Sequence, residues 1–588
     1  MLTKLASWKS RKKTTKEIGP YAALSEGIKV PAEVERSSPH RMSAAAGITE
    51  IGIFLLFLAL AVLLQTAGGA FSSEMGYYPD EAAHYITGLM VRDYVASGFP
   101  GNPITFAERF YARFPKVAFG VWPPLFHGIL AVWLLPTPDG RTSALLLMAF
   151  IMAATSYILY RCVRQAAGRI CGVSIGLLLV LLPISQLMTN TIMADSLVML
   201  TELTTAALLA RWLRTGSNRD AHWVGVAAGL ACMTKGNGMA VILAVPLAIA
   251  LTRRFDLLRK SGIYVAGLIA ALLAFGWELY ALLLDRKIST FTDYSVAGVR
   301  GAFEFSFKFV CNTIGWALCA LILLGLTVAA GSIKRRVGEW SLWASMVAVG
   351  LSVFVFHILL PHSMDGRYLL AGIAPLMAFL VPGARSIADT APLARIVPRW
   401  RVPLVLSCAL AIFFGFSFQV PKMPRFGFRE AAAWLEKHPL AGGRYLVVSD
   451  SNGEGAFIAE VASRSDRRLP GPLVMRASKL LFVSDWNLTG YRLVFDGPEK
   501  ALAAIEQLGI SYIVMDSTQG LSQLPHWDQV RQMLHQYSDR VQMVQRFPAN
   551  ENGHVRSLDV YEVLHFANPP SRKFEFQTIY TRGGSIRE

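Results

Sequence analysis

Long apolar runs separated by short basic loops fill the first 420 residues. The first extends from Ile51 to about Gly69, close to the ~20 residues that a helix needs to cross a bilayer. Similar runs lie at ~141–160, ~170–189, ~196–213, ~221–234, ~238–252, ~262–284, ~309–331, ~340–360, ~367–383 and ~402–419. The pattern predicts about eleven transmembrane helices. Trp122 to Leu135 is also apolar, but it is a run of about fourteen residues bounded by prolines, so it reads as interfacial or re-entrant. Residues 70–140 then form one long loop that dips back to the membrane. The run from Ala221 to Leu251 breaks at Thr234-Lys235-Gly236-Asn237-Gly238, which predicts a two-helix hairpin with Lys235 at its tip.

After Pro421 the pattern changes. Gly427–Leu435 and Ala501–Leu508 read as helices, and Tyr445–Ser449, Leu493–Phe495 and Tyr512–Met515 as strands. That alternation predicts a soluble α/β domain of about 165 residues, enough to bury its own core. It carries no Gly-rich phosphate loop. Ser451-Asn452-Gly453-Glu454-Gly455 follows a strand but lacks the spacing of a nucleotide fingerprint, and a docking or acceptor-shaping role is expected for this domain.

Basic clusters set the orientation. They recur at Arg161/Arg164/Arg169, Arg211/Arg214/Arg219, Arg253/Arg254/Arg259/Lys260, Lys334/Arg335/Arg336 and Arg385/Arg395/Arg399/Arg401. Placing them in the cytoplasm requires an even number of crossings between clusters and an odd total, so everything after Gln419 lies outside. The amino end holds Lys4, Lys9, Arg11, Lys12, Lys13 and Lys16, too long a basic region for a cleaved signal peptide. The expected organisation is a cytoplasmic tail over 1–48, a transmembrane domain over 49–420 and an external α/β domain over 421–588.

Composition agrees with a polytopic membrane protein. Of 588 residues, 53% are hydrophobic and 16% charged, and the mean hydropathy is +0.41. The net charge of +17 would suit nucleic acid, but the Lys and Arg sit in short loops between apolar runs, where they act as membrane anchors, so no nucleic-acid partner is expected. The six cysteines form no CxxC pair, which supports neither a disulfide framework nor a cysteine zinc site.

Polar residues concentrate on the external side. Tyr77-Tyr78-Pro79-Asp80-Glu81-Ala82-Ala83-His84-Tyr85 begins just after the first span, Arg113 and Lys116 follow in the same loop, and Asp195 belongs to the next external turn. Lys235 is at the hairpin tip, and Pro361-His362-Ser363-Met364-Asp365-Gly366-Arg367-Tyr368 precedes a late span. A carboxylate can take a proton from an attacking hydroxyl or hold a metal, and Arg or Lys can stabilise a departing phosphate. Simpler readings stand beside these. Asp80 and Asp195 both fall where helices begin and could be caps. Arg113 and Lys116 could be solvated, and Arg367 could be an interfacial anchor. Glu202 and Glu278, inside spans, read as structural pairs, and His127 as packing. Tyr78, Tyr85 and Trp122 suit the interface, though aromatic rings also line sugar sites.

Asp80-Glu81, Arg113-Phe114-Pro115, Trp122-Pro123-Pro124-Leu125-Phe126, Thr234-Lys235-Gly236 and Arg367-Tyr368-Leu369-Leu370, in this order, resemble the integral-membrane glycosyltransferases of the GT-C superfamily. The likeness is to the bacterial aminoarabinose transferase and protein O-mannosyltransferase group, over about residues 50–420. It implies a polyprenyl-phosphate-linked sugar as donor and transfer with inversion. It also implies a bacterial inner-membrane location with the active site on the periplasmic face, and a periplasmic glycan, lipid or protein as acceptor. Asp80 would be the catalytic base, with Glu81 and Asp195 as companion acids. Arg113, Lys116, Lys235, Arg367 and His84 would bind the lipid phosphate and donor, and Tyr78, Tyr85, Trp122 and His362 would line the acceptor or sugar site. Many members have Lys-Pro-Pro-Leu where this chain has Trp122-Pro123-Pro124-Leu125, so the cation expected there must come from Arg113, Lys116 or Arg367. No ligand spacing fixes a metal, and the acids leave room for a divalent cation such as Mg or Mn. A lipid-linked sugar flippase and a non-catalytic envelope scaffold are the rival readings.

Overall fold

The computed structural model describes residues 44–588 except 119, 286–294, 361–363, 391–392, 394, 441–442, 468–470, 485–489, 518–523, 552–553, 566–572, 576–584 and 588. The basic tail before residue 44 and His362 therefore lie outside the described residues. The helix bundle and the sheet belong to one compact unit, 51–588.

Helix α1 (Ala44–Ala67) leads into a segment bearing α2 (Pro79–Ala96), α3 (Pro103–Arg113) and α4 (Leu125–Leu134). Ten residues of helix rise about 15 Å, so α4 is too short to cross a bilayer. The runs expected at ~141–160 and ~170–189 form two helices within α5 (Arg141–Leu181), separated by a break at Gly168, whose φ of 84° and ψ of 175° are not helical and suit glycine. The second folds back on the first, since a Cβ on Gly172 would come within 2.9 Å of the Tyr160 carbonyl oxygen. Then come α6 (Pro183–Thr189), α7 (Asp195–Thr215), α8 (Asn218–Cys232), α9 (Ala240–Thr252), α10 (Ser261–Asp285), α11 (Val296–Ile314), α12 (Trp316–Arg335) and α13 (Trp340–Leu359). The short α14 (Leu370–Leu376) and α15 (Leu380–Ala388) precede α16 (Pro398–Phe416). Among the described residues seven helices are long and apolar enough to cross a membrane, and those at 125–134, 236–252 and 400–416 are apolar but shorter. The span expected at ~309–331 begins later, at Trp316, because α11 carries Arg300, Glu304 and Lys308 and ends at Ile314. On α10, Leu268, Leu272 and Phe275 are 57, 73 and 62% exposed, an apolar face that lipid covers. The chain is a multi-span helical membrane protein.

Helices α7 and α8 pack together as a hairpin pinned at both ends. Near the turn, Arg211 Nε lies 2.9 Å from Asp220 Oδ1, and at the open end Lys235 meets Asp195. Glu202, expected to sit in a structural pair, is instead fully buried on α7 with neither carboxylate oxygen hydrogen-bonded among the described residues.

Beyond residue 420, α17 (Phe428–Lys437), β1 (Arg444–Val448), α18 (Ser451–Arg464), β2 (Leu473–Arg476), β3 (Phe482–Val483), β4 (Arg492–Leu493), β5 (Tyr512–Asp516), β6 (Val541–Glu551) and β7 (His554–Val563) follow, with helices at Pro498–Gln507 and Pro525–Gln536. Five strands form a sheet in the order β2-β1-β5-β7-β6, parallel from β2 to β5 and antiparallel from β5 to β6. Both faces are covered, so β1 and β5 are buried along their length. Leu446, Val448, Ile513 and Met515 face the helices at 498–507 and 525–536. Tyr445, Val447, Tyr512 and Val514 belong to a core shared with Tyr85, Leu89, Phe114 and Phe126 of the α2–α4 segment.

Candidate active site

Asp80 lies in the first turn of α2. Pro79 opens that helix with its fixed φ, and Tyr78 stands at the cap without a side-chain cap bond, so Asp80 is not the cap. A carboxylate is favoured there by the helix dipole. Its Oδ2 accepts a hydrogen bond from Arg367 Nη2 at 3.1 Å, and the Asp80 side chain is 28% exposed. Arg367 sits in a tight turn, Gly366–Leu369, which Asp365 caps by accepting the Arg367 main-chain N–H at 3.0 Å. Asp365 Oδ2 also lies 2.9 Å from Arg367 Nε. A Cβ on Gly366 would come within 2.0 Å of the Phe309 ring, so any side chain there would force that ring to move. The guanidinium rests between Tyr78 and Tyr368, 4.6 and 5.0 Å from their ring centroids. Its Nη1 has no hydrogen-bond partner among the described residues.

A second cation joins from the break between α8 and α9. Lys235 Nζ donates to both oxygens of Asp195, at 2.9 and 2.8 Å, with little exposure of either side chain. It also lies 4.8 Å from the Tyr368 ring, so one aromatic side chain meets both cations. Asp195, at the first position of α7, makes no cap bond, and its carboxylate is given to Lys235. A small cleft lined by Phe305, Ser306, His357, Met364, Asp365 and Tyr368 opens beside this cluster.

Glu81 is placed differently from Asp80. It is fully buried, ion-paired with Arg141, and accepts the main-chain N–H of Ile192 at 3.3 Å. Arg141 Nη2 also donates to the Asn190 carbonyl at 2.7 Å. Burial pushes the Glu81 carboxyl up from its ordinary range, and Arg141 pulls it back. His84, one turn beyond Asp80, is buried with its Nδ1 3.0 Å from His127 Nε2 and its ring 4.2 Å from that of Trp122. His127, expected to be packing, is therefore hydrogen-bonded.

Of the cations expected to stand in for the missing lysine, two are occupied elsewhere. Arg113 donates to the carbonyls of Pro472 and Arg467, each at 3.2 Å. Lys116 Nζ donates to the Ser451 carbonyl at 3.0 Å. Burial, reinforced by Arg476, lowers the Lys116 ammonium to about 7 against Glu454, Asp80 and Asp450. Tyr85 is fully buried and takes a hydrogen bond from Ser463 Oγ at 3.0 Å, so it joins α2 to α18. The structure thus gathers Asp80, Asp195, Lys235, Arg367 and Tyr78 with Asp365, which the sequence places on the same external face without a role, and it adds Tyr368, whose only signal was adjacency to Arg367 just before a span.

Among the described residues no three His, Cys, Asp or Glu side chains converge as a divalent cation would require. The carboxylates of Asp80, Asp195 and Asp365 are already held by Arg367 and Lys235, so the donor set does not fit a resident metal.

The sequence profile of the dolichyl-phosphate-mannose-protein mannosyltransferase family matches residues 122–277. No curated protein matches the chain by sequence. Among solved structures, apo ArnT from Cupriavidus metallidurans aligns with a TM-score of 0.56 at 14% identity, covering 89% of this chain and 99% of that one. The same ArnT bound to undecaprenyl phosphate gives 0.53 at 13% identity, over 88% and 98%. An oligosaccharyltransferase from Archaeoglobus fulgidus, in complex with Zn and sulfate, gives 0.50 at 13% identity, over 86% and 72%. The fold is that of the GT-C membrane glycosyltransferases. Within that class the likeness to ArnT runs along nearly the whole of both chains, and at this identity it speaks for the fold alone.

Proposed function

We propose that this protein moves a sugar from a polyprenyl-phosphate donor onto an external acceptor, with inversion at the anomeric carbon. The observation that carries the reading is the arrangement of Asp80, Asp195 and Asp365 around Arg367 and Lys235 at one end of the helix bundle. Asp80 accepts the acceptor hydroxyl proton as that oxygen attacks the anomeric carbon, and the bond from that carbon to the phosphate oxygen breaks. Arg367 and Lys235 take up the charge on the departing lipid phosphate. The Nη1 of Arg367, uncommitted among the described residues, supports this role. Trp122 replaces the lysine of many relatives, and Arg367 with Lys235 supplies the charge instead. Glu81 orients α2 through Arg141 without touching substrate.

Orientation follows from charge. Helix α7 starts at Asp195 in the site and ends near Arg211 and Arg214. With the basic loops in the cytoplasm, the site and the sheet-bearing region face outward, the periplasm in a bacterial inner membrane. Glu202, within the bundle and without a hydrogen-bond partner among the described residues, favours a second reading, a carrier of lipid-linked sugars. Reconstituted full-length protein given labelled undecaprenyl-phosphate sugars separates the two. Release of undecaprenyl phosphate with label on an acceptor is expected, and movement of intact donor between leaflets without turnover would overturn the proposal.

A further inference from the structure

A pair of imidazoles lies beneath the candidate site, and its outer nitrogen is unused. His84 is fully buried, and its Nε2 has no hydrogen-bond partner among the described residues. A buried polar nitrogen without a partner is costly, so its place in the fold calls for a ligand or a function. Two placements direct it to the Asp80 cluster. His84 follows Asp80 by four residues and so shares its face of α2. The Leu125 main-chain N–H donates to the Met233 carbonyl at 3.0 Å, which ties the Trp122–His127 segment to the tip that carries Lys235.

The chemistry of the pair narrows the ligand. Each neutral imidazole carries one N–H, so the 3.0 Å contact between His84 Nδ1 and His127 Nε2 uses one donor and one acceptor. If His127 donates, His84 Nε2 bears a proton and donates outward. If His84 donates, Nε2 offers a lone pair. Burial, then His127, Lys235 and Arg367, hold His84 well below its usual range, and no carboxylate offsets them. The ring is a neutral contact that can give or take a hydrogen bond. That suits a hydroxyl, which does both, rather than a phosphate, whose charge Arg367 and Lys235 already match.

Resting on the glycosyl-transfer reading above, we infer that His84 Nε2 hydrogen-bonds a hydroxyl of the donor's sugar and that His127 is a positioning residue that sets its tautomer. Trp122, whose ring lies 4.2 Å from that of His84 at a tilt of 35°, restrains its rotation.

The test compares binding of undecaprenyl phosphate with that of glucosyl, mannosyl and arabinosyl undecaprenyl phosphates to the full chain in detergent. The native protein is expected to prefer at least one sugar-bearing lipid over the bare one. His84→Phe should weaken that lipid by about 5- to 30-fold and leave the bare lipid within about twofold. Retained binding of the bare lipid also shows that the variant is folded. His127→Leu should shift the preference in the same direction, and His127→Gln, which can still hydrogen-bond His84, should restore it. A His84→Phe protein that keeps the full sugar preference, or loses both ligands equally, would overturn the inference while leaving the transferase reading standing. A native protein that binds no sugar-bearing lipid more tightly than the bare one overturns both.

Discussion

Asp80 and Glu81 are neighbours in sequence, yet their isosteric amides should behave in opposite ways. Glu81 and Arg141 have side-chain exposures of 0 and 1%, so Glu81→Gln leaves a guanidinium buried without its counter-charge. Removing one member of such a pair costs about 3–5 kcal/mol. The amide oxygen can still accept the Ile192 N–H, so the loss falls mainly on the charge. Asp80 is 28% exposed, and Arg367 keeps Asp365 as a partner, so Asp80→Asn should cost about 1 kcal/mol or less. The same change removes the proposed base and should lower turnover by about 10²–10⁴. Unfolding midpoints in detergent give the first quantity, and release of undecaprenyl phosphate per folded molecule the second. Should Asp80→Asn destabilise as much as Glu81→Gln while turnover per folded molecule holds, the division between a working acid and a bracing acid is wrong.

A double-mutant cycle on Asp195 and Lys235 separates fold from chemistry in the same way. Each single change, Asp195→Asn or Lys235→Met, should cost about 3–5 kcal/mol, and the pair together less than the sum by about 2–3 kcal/mol. The double variant should fold yet fail to transfer, and near-native transfer would remove Lys235 from phosphate binding. Acid should weaken the fold through the buried imidazoles. Burial pushes folded His127 down to about 4, whereas the unfolded side chain titrates near 6.5. The unfolded state therefore binds more protons between those values, and stability falls as pH drops through that window, by about 2 kcal/mol at pH 5 from His127 alone. Thermal midpoints from pH 7.5 to 5 should show the drop, and His127→Leu should flatten that part of it. Arg467 lies 2.5 Å from Asp93 and 2.6 Å from Asp139, so Arg467→Ala should raise hydrogen exchange in both α2 and the 428–563 region. Unchanged exchange would mean that this contact does not hold them together.

The helical architecture could be read from the sequence because apolar runs of membrane length, broken by basic loops, follow the bilayer's own dimension. The hairpin tip at Lys235 was legible for the same reason, as a polar break in one long apolar run. Strand β5 at Tyr512–Asp516 and helix α17 at Phe428–Lys437 fell within a residue or two of expectation. The β6–β7 hairpin did not emerge, because its strands mix Arg, Gln and Glu among the apolar residues and so lack clean alternation. In the site, type and order marked Asp80, Asp195, Lys235 and Arg367. Partnership was invisible, since Arg141 lies 60 residues from Glu81 and Arg367 lies 287 from Asp80. Arg113 looked as suitable a phosphate ligand as Arg367, and only three-dimensional contact shows it spent on the carbonyls of Arg467 and Pro472.

The contacts that tie α2 to α18 bear on how such enzymes can be engineered. Gly455 packs so closely on Ala82 that an added Cβ would come within 3.1 Å of it, two residues from Asp80. Grafting a relative's tail at residue 420 would therefore cut through a shared core. Productive chimeras should carry the segment from Ala70 to Asp139 with the tail, as one inherited piece.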